Sequence, residues 1–285
     1  MAFQDHRGLH SSGSCDEPTW LALIEAGWEL GDRLLMLNAP MLRGDDVADL
    51  QRSLNHLGFD CGRPDGIFGP AAGRALLDFQ RNSGLTADGV CGVQTVRTLR
   101  LVGRQSGSGP GVASIREAEA VRSPAAVSGL RIVIGQFGGL SSIARSLSRA
   151  LREHGATVMS TDEYEAQAQA AAANRFGADA YIGFDARTDQ CSIVSYFAVP
   201  SFESIGGRSL AVRIVDELDG VLDVRPVLNG MRLPVLRETR MPAVLCSVGP
   251  VRSVVDRTNL LTDALTRAVS AWSEAPLLGL DHPDI

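Results

Sequence analysis

Few side chains in the second half of the chain could act as nucleophile, base or metal ligand. Residues 129–273 contain one histidine, His154, and the other candidates are Asp185, Cys246 and Ser247. A serine or cysteine nucleophile needs a base within hydrogen-bond reach. No GxSxG elbow surrounds Ser247, and no sequence feature brings His154 close to it. The pattern favours Asp185 as a cap or turn residue at a strand end and Cys246 as a small buried apolar residue.

Phosphate binding by a glycine-rich loop is the second function that we considered. Phe137-Gly138-Gly139 follows an apolar run, but GxGxxG is absent and the chain contains no lysine. A P-loop nucleotide site is therefore excluded. The net charge is −6, the pI is about 5.4, and the arginines are scattered among acidic residues. This distribution excludes nucleic acid as a partner.

Three short helices are predicted between Asp46 and Leu99. Apolar residues recur there at helical spacing, and turns rich in glycine, aspartate and proline separate the three runs. Asp65-Gly66 marks one turn, and Gly69-Pro70 restarts the chain at a helix N-terminus. The apolar faces are formed by Val47, Leu50, Leu54 and Leu57, then by Ala75, Leu76 and Phe79, and then by Val93, Val96 and Leu99.

This unit resembles the type 1 peptidoglycan-binding domains. The segments that match are LQRSLNHLGF, DGIFGP, ALLDFQRNSGL, DGVCG and TVRTL. The resemblance implies a small, non-catalytic helical module that docks on the glycan and stem peptide of the cell wall. We expect its binding groove beside the DGIFG turn, at Asp65, Gly66, Phe68 and Gly69.

Residues 1–30 repeat the second half of this unit at a shift of 76 positions. A half-repeat cannot bury its apolar side alone, so we expect four apolar residues to pack on the following module: Trp20, Leu23, Ile24 and Trp28. The repeat equates Phe3-Gln4 with Phe79-Gln80, Gly8-Leu9 with Gly84-Leu85, Gly13 with Gly89, Cys15 with Cys91, Thr19 with Thr95 and Leu23 with Leu99.

Strands and helices alternate from Leu130 onwards. This alternation predicts an α/β domain with a mostly parallel sheet covered by helices on both faces. The expected strands are 131–134, 157–159, 180–184, 193–199 and 243–247, and the expected helices are 143–153, 163–176, 205–218 and 259–272. The predicted domains are a partial repeat at 1–30, the complete module at 31–102, a flexible linker at 103–128 with a short helix at 115–122, the α/β domain at 129–273 and a poorly ordered tail at 274–285.

The α/β domain resembles the zinc-dependent N-acetylmuramoyl-L-alanine amidases of type 3. The matching segments are SGLRIVI followed by GG, AAANRFGADAYIGF, SIGGRSLAVRIVDEL and LRETRMPAVLCSVG. Such an amidase holds zinc with two histidines and a glutamate, and a further glutamate moves the proton. The resemblance places the two histidines at Phe137 and Asp185 and the general-base glutamate at Ser247. No glutamate lies between Glu119 and Glu153, where the remaining ligand belongs.

All four positions have changed, so we expect no catalytic residue, no metal and no other cofactor. The expected function is binding of peptidoglycan, muropeptides or a lipid-linked precursor, with regulation of a cell-wall synthesis enzyme. An active zinc amidase with misaligned ligands is the alternative, and a purely structural wall protein is a third. Abundant arginine without lysine fits a GC-rich, actinobacterial genome.

The sequence also gives an expectation about location. It lacks an apolar run long enough to span a membrane, it opens without a secretory signal pattern, and its five cysteines form no CxxC pair. We therefore expect a cytoplasmic protein. Export to the cell wall is the alternative if the true start lies upstream.

Overall fold

The computed structural model describes residues 1–103, 111–121, 126–199 and 202–277. Two units are present, one formed by residues 1–6 and 10–117 and the other by residues 7–9 and 118–285. Residues 104–110 and 122–125 of the predicted linker and residues 278–285 of the predicted tail lie outside the described residues.

The first unit is helical. Its complete module buries one core between three helices, which confirms the three predicted helices. Phe68 and Leu76 are fully buried there, as are Leu50 and Leu54. Two antiparallel bridges, between Leu35 and Cys91 and between Arg43 and Ile67, connect the intervening loops. The helices are α1 (Ala2–His6), α2 (Glu17–Ala26), α3 (Asp45–His56), α4 (Pro70–Asn82), α5 (Val93–Gly103) and α6 (Val112–Val121), the last of which begins in this unit within the predicted linker.

A buried glutamine holds the turn that follows α4. The Gln80 side chain donates to Asp88 Oδ1 (2.9 Å) and to the Val90 carbonyl (3.0 Å), and it accepts from the Gly89 amide (2.9 Å). Gln4 makes the equivalent bonds to Ser12 Oγ (3.3 Å), the Ser14 carbonyl (2.9 Å) and the Gly13 amide (2.9 Å). These partners are related by the shift of 76 positions, so the repeat read from the sequence is also a structural repeat.

The prediction that the half-repeat packs its apolar residues on the following module is wrong. Trp20 is 57% exposed and Ile24 is 50% exposed, while Leu23 and Trp28 are 42% and 38% exposed. The polar turn of the half-repeat needs only Gln4 and its hydrogen-bond partners to form. Trp20 and Leu23 are equivalent to Val96 and Leu99 of the complete module, which share one core with residues of α3.

The second unit is built on a seven-stranded sheet. The strands are β1 (Arg131–Phe137), β2 (Thr157–Thr161), β3 (Ala180–Ala186), β4 (Cys191–Val199), β5 (Phe202–Glu203), β6 (Val227–Met231) and β7 (Ala243–Gly249). The strand order is β2-β1-β3-β7-β4-β5, and β6 also pairs with β4. The first four strands in this order are mutually parallel, whereas β4 is antiparallel to β7.

Helices cover both faces of the sheet, as predicted. One face packs on α7 (Ser141–Glu153), α9 (Ile205–Leu218) and α12 (Thr258–Glu274), and this layer holds the larger apolar core. The opposite face is covered by α8 (Ala166–Phe176) and α10 (Pro234–Glu238). A further short helix, α11 (Val251–Asp256), follows β7. Within the described residues, no helix is long and apolar enough to cross a membrane.

The structure differs from the sequence prediction at several element ends and in the short elements. The first strand continues to Phe137, because Gly135 and Phe137 stay in register with Gly183 and Asp185 of β3. Helix α8 begins at Ala166 and not at Glu163. Two short strands, β5 and β6, were not predicted, since neither has enough β-branched residues in alternation to distinguish it from a loop.

Candidate functional site

The three positions expected to replace the metal site lie side by side. Phe137 of β1 is in register with Asp185 of β3, and Asp185 is in register with Ser247 of β7. Registered residues on neighbouring strands point to the same face of the sheet. Here it is the face on which α8 packs, since Gly135, two residues before Phe137, faces Gln169 of α8. The structure thus brings together residues that are up to 110 positions apart in sequence.

Phe137, Asp185 and Ser247, which we call the row, lie where an α/β sheet offers a binding crevice. From β1 the chain passes through α7 to β2 on one side, and then through α8 to β3 on the other side of β1. The direction of winding therefore changes between β1 and β3. Ligands of open α/β sheets bind at the carboxyl ends of the strands at such a point. Phe137 and Asp185 occupy those ends.

Asp185 is held by two neighbours. The Ser247 hydroxyl donates to Asp185 Oδ2 at 3.0 Å, and Arg187 Nη1 lies 3.7 Å from the same oxygen. The prediction that Asp185 is a cap or turn residue is wrong, because its main chain belongs to β3 and its side chain is only 30% exposed. Sequence reasoning also missed Arg187. The only available signal was the cluster of charged residues in DARTDQ after the strand.

The connection after β1 is too short to supply another ligand. Gly138 and Gly139 both have positive φ (73° and 82°), a conformation that side chains other than glycine rarely adopt. Gln136 closes the turn, since its Oε1 accepts from the Leu140 amide at 3.3 Å. Helix α7 starts at Ser141. Two glycines thus occupy the segment in which the resemblance would place a ligand-bearing loop.

The donors at this site do not fit zinc. A catalytic zinc site needs three nitrogen, sulfur or oxygen ligands from the protein and an open position. The row offers a phenyl ring, a hydroxyl and one carboxylate that is already bonded to Ser247. Across the described ranges, no group of three or more His, Cys, Asp or Glu side chains lies close enough to hold a metal ion.

The remaining reactive residues do not join this row. Cys246 points to the opposite face, is 1% exposed, and has its pKa raised to about 12 by burial, so its thiol stays protonated. His154 lies at the C-terminal end of α7, where its Nδ1 is 2.9 Å from the Ala150 carbonyl. The geometry therefore offers no nucleophile and base pair among Cys246, Ser247 and His154.

Each groove residue predicted in the helical module has a structural role. Asp65 Oδ1 accepts from Gln51 Nε2 and from the Ile67 amide, both at 2.8 Å. Gly66 has φ of 74°, which the turn requires, and the Phe68 side chain is fully buried in the core. Gly69 is the residue before α4. Ligand binding at this turn stays a prediction, and its side-chain contacts must come from neighbours other than Phe68.

Met41 offers a cleaner test of this groove. It is 43% exposed, and its sulfur lies 3.8 Å from the position of a Cβ added to Gly69. We expect Met41→Gln to leave the fold intact and to reduce co-sedimentation with purified peptidoglycan. Phe68→Ala should instead cost about 3–5 kcal/mol of stability and unfold the module. Unchanged co-sedimentation by Met41→Gln would place the groove elsewhere.

Comparison with known proteins agrees with both units. Residues 43–99 match the family "Putative peptidoglycan binding domain". N-acetylmuramoyl-L-alanine amidase CwlM of Mycobacterium tuberculosis is 35% identical over 307 aligned positions, covering 94% of this chain and 74% of the relative. A spore cortex-lytic enzyme of Bacillus cereus is 43% identical over 56 residues, covering 20% of this chain and 22% of the relative.

Among solved structures, the amidase Ami1 of Mycobacterium smegmatis aligns with a TM-score of 0.45 and 12% identity, covering 52% of this chain and 99% of Ami1. The catalytic domain of CwlV from Bacillus (Paenibacillus) polymyxa gives a TM-score of 0.41 and 15% identity, covering 51% and 99%.

A helical peptidoglycan-binding module followed by a mixed, mostly parallel α/β domain defines an amidase-like, peptidoglycan-binding protein. The identity and coverage shared with the mycobacterial relative show that the chain belongs to the CwlM family.

Proposed function

We propose that this protein binds peptidoglycan fragments or their lipid-linked precursors without hydrolysing them, and that it regulates cell-wall synthesis through that binding. The observation that carries the proposal is the row of Phe137, Asp185 and Ser247 at the carboxyl ends of the strands. This row has hydrogen-bonding groups but too few donors for zinc.

The chemistry of the row suits a peptide. Asp185 and Ser247 provide a carboxylate and a hydroxyl at its centre, and Arg187 adds a cation. Half-buried Phe137 and Ile193 lie on either side, because Ile193 is the registered neighbour of Ser247 on β4. A polar centre with apolar flanks matches the alternation of amide groups and small apolar side chains in a stem peptide.

We place the protein in the cytoplasm, where precursors and the enzymes that make them are found. The cysteines support this location: all five are free, and Cys61, Cys91 and Cys246 are buried. Unpaired thiols are typical of a reducing compartment. Fractionation of cells that express the tagged protein from its own locus would test the assignment.

The test of the function uses purified full-length protein. We expect far less than one equivalent of zinc by elemental analysis, no release of stem peptides from peptidoglycan, and saturable binding of a disaccharide-pentapeptide muropeptide in calorimetry. Asp185→Ala should weaken that binding by about tenfold, the effect of losing one hydrogen bond to a charged group.

Asp216→Ala is the matched control, since this exposed carboxylate lies on α9, on the other face of the sheet. It should bind as the unmodified protein does. Stoichiometric zinc with stem-peptide release would establish the active amidase in place of the proposed function. Equal binding by Asp185→Ala and Asp216→Ala would move the ligand away from the row.

A further inference from the structure

Two turns of the complete module are each held by a buried glutamine. Gln51 Nε2 donates to Asp65 Oδ1 at 2.8 Å and to the Ile67 carbonyl at 3.1 Å. Gln51 Oε1 accepts from the Gly66 amide at 2.8 Å. Gln80 makes the corresponding three hydrogen bonds to the turn before α5. The turn DGIFG (65–69) therefore corresponds to the turn DGVCG (88–92).

Each turn makes the same backbone contact with the segment that precedes α3. The Phe68 amide donates to the Leu42 carbonyl at 2.9 Å, and the Cys91 amide donates to the Leu35 carbonyl at 2.8 Å. The side chains of Phe68 and Cys91 are both buried in the core of the module. The segment before α3 thus passes both turns and meets them in the same way.

The correspondence extends to the surface beside each turn. Met41 lies beside Gly69, and its sulfur is 3.8 Å from the position of a Cβ added to that glycine. Leu34 lies beside Gly92, and its Cδ2 is 3.5 Å from the position of a Cβ added there. Helices α4 and α5 begin directly after these two glycines. We call Met41, Gly69 and Pro70 the first surface, and Leu34, Gly92 and Val93 the second surface.

Both surfaces are uncovered although all three helices of the module are present. Met41 is 43% exposed, Leu34 is 57% exposed and Val93 is 62% exposed. None of these three residues belongs to the core of the module. A single exposed leucine is ordinary. Exposure of a large apolar side chain at the same place beside both turns does not serve folding, and it indicates contact with a ligand.

We infer that the second surface binds peptidoglycan as well, so that the module holds two neighbouring repeat units of one peptidoglycan strand. This inference rests on the proposed function and on the binding expected at the first surface. The range that matches the peptidoglycan-binding family, 43–99, includes both turns. An aliphatic side chain beside a glycine suits the alanine methyl groups and the lactyl group that recur in every unit of the polymer.

Two surfaces on one module favour the polymer over its monomeric fragment. Once one surface has bound, the neighbouring repeat unit is held close to the other surface, so the second binding event is intramolecular. Such linkage typically raises the affinity by about 10²–10⁴-fold. Loss of either surface should therefore weaken binding of the polymer much more than binding of a single muropeptide.

The test compares the two ligands with the full-length protein. We expect Leu34→Gln to weaken co-sedimentation with purified peptidoglycan by at least about tenfold, because one surface of the module then holds the polymer alone. Calorimetry with a disaccharide-pentapeptide muropeptide should give an affinity within about twofold of the unmodified protein, since the first surface and the row are intact. The thermal unfolding midpoint should not change, because Leu34 lies outside the core.

Leu37→Gln is the matched control. Leu37 lies in the same segment and is 55% exposed, but it has no atom within 4 Å of a Cβ added to Gly69 or Gly92. The control should bind the polymer as the unmodified protein does. Equal polymer binding by Leu34→Gln and Leu37→Gln would overturn the inference and leave the proposed function standing.

Two further outcomes are decisive. If Leu34→Gln weakened binding of the polymer and of the single muropeptide by the same factor, one site would account for both ligands, and the second surface would be refuted. If the unmodified protein bound neither ligand, the proposed function would be wrong, and this inference would be wrong with it.

Discussion

Replacing Arg33 with alanine is expected to lower the unfolding free energy of the helical module by about 3–5 kcal/mol. Arg33 forms two hydrogen bonds with Asp46, from Nε to Oδ2 at 2.7 Å and from Nη2 to Oδ1 at 3.1 Å. The Asp46 side chain is 0% exposed. Without Arg33, this buried carboxylate loses its counter-charge and both of these hydrogen bonds. It keeps the hydrogen bond that Oδ1 accepts from the Val47 amide.

The Arg33 side chain also fixes the segment that crosses the module. Its Nη2 donates to the Arg43 carbonyl at 2.7 Å, and its guanidinium lies 4.5 Å from the centre of the Trp28 ring. Loss of these contacts adds to the cost, because the loop between α2 and α3 is then free to leave the core. Hydrogen exchange at the α3 amides of Leu50 and Leu54 measures the effect directly.

A surface ion pair provides the control. Arg81 and Asp78 are 3.0 Å apart on α4, with side chains 62% and 57% exposed, so Arg81→Ala should cost at most about 0.5 kcal/mol. The double variant Arg33→Ala with Asp46→Asn should be more stable than Arg33→Ala alone, since the uncompensated charge is gone. Equal losses for Arg33→Ala and Arg81→Ala would contradict this account.

Gly135→Ala should destabilise the α/β domain by about 3 kcal/mol or more. A Cβ at Gly135 would overlap with Gln169 Oε1 and with the Tyr181 hydroxyl. Those two groups hydrogen-bond at 2.7 Å, and Gln169 Nε2 also donates to the Gln136 carbonyl at 3.1 Å. Burial raises the pKa of Tyr181, so its hydroxyl remains a donor. The added methyl group would break this buried network.

The network contacts Gly135 and Gln136, which immediately precede Phe137 of the row on β1. The same change should therefore weaken muropeptide binding. Gly129→Ala is the control, because a Cβ there has no atom within 4 Å, and it should change stability by less than about 0.5 kcal/mol. Thermal unfolding of both variants, followed by circular dichroism, would distinguish them. A Gly135→Ala protein as stable as Gly129→Ala would mean that the sheet can shift to admit the methyl group.

The two units differ in how far local sequence determined them. Turn residues and helical spacing predicted α3, α4 and α5, because glycine permits the positive φ that turns need and proline fixes φ wherever it occurs. The same features predicted the repeat, which the Gln4 and Gln80 hydrogen bonds confirm. The burial of Phe68 and the pairing of Arg33 with Asp46 could not be predicted, since both depend on segments that meet only in the folded module.

In the α/β domain, the sequence by itself determined the alternation of strands and helices and the residues that the resemblance aligns with metal ligands. Only the tertiary structure decided what those residues do together. Strand order and register place Phe137, Asp185 and Ser247 in one row, and they also turn Cys246 to the other face. The physical reason is that local propensity fixes the conformation of a strand, whereas its neighbours and register are set by packing between distant parts of the chain.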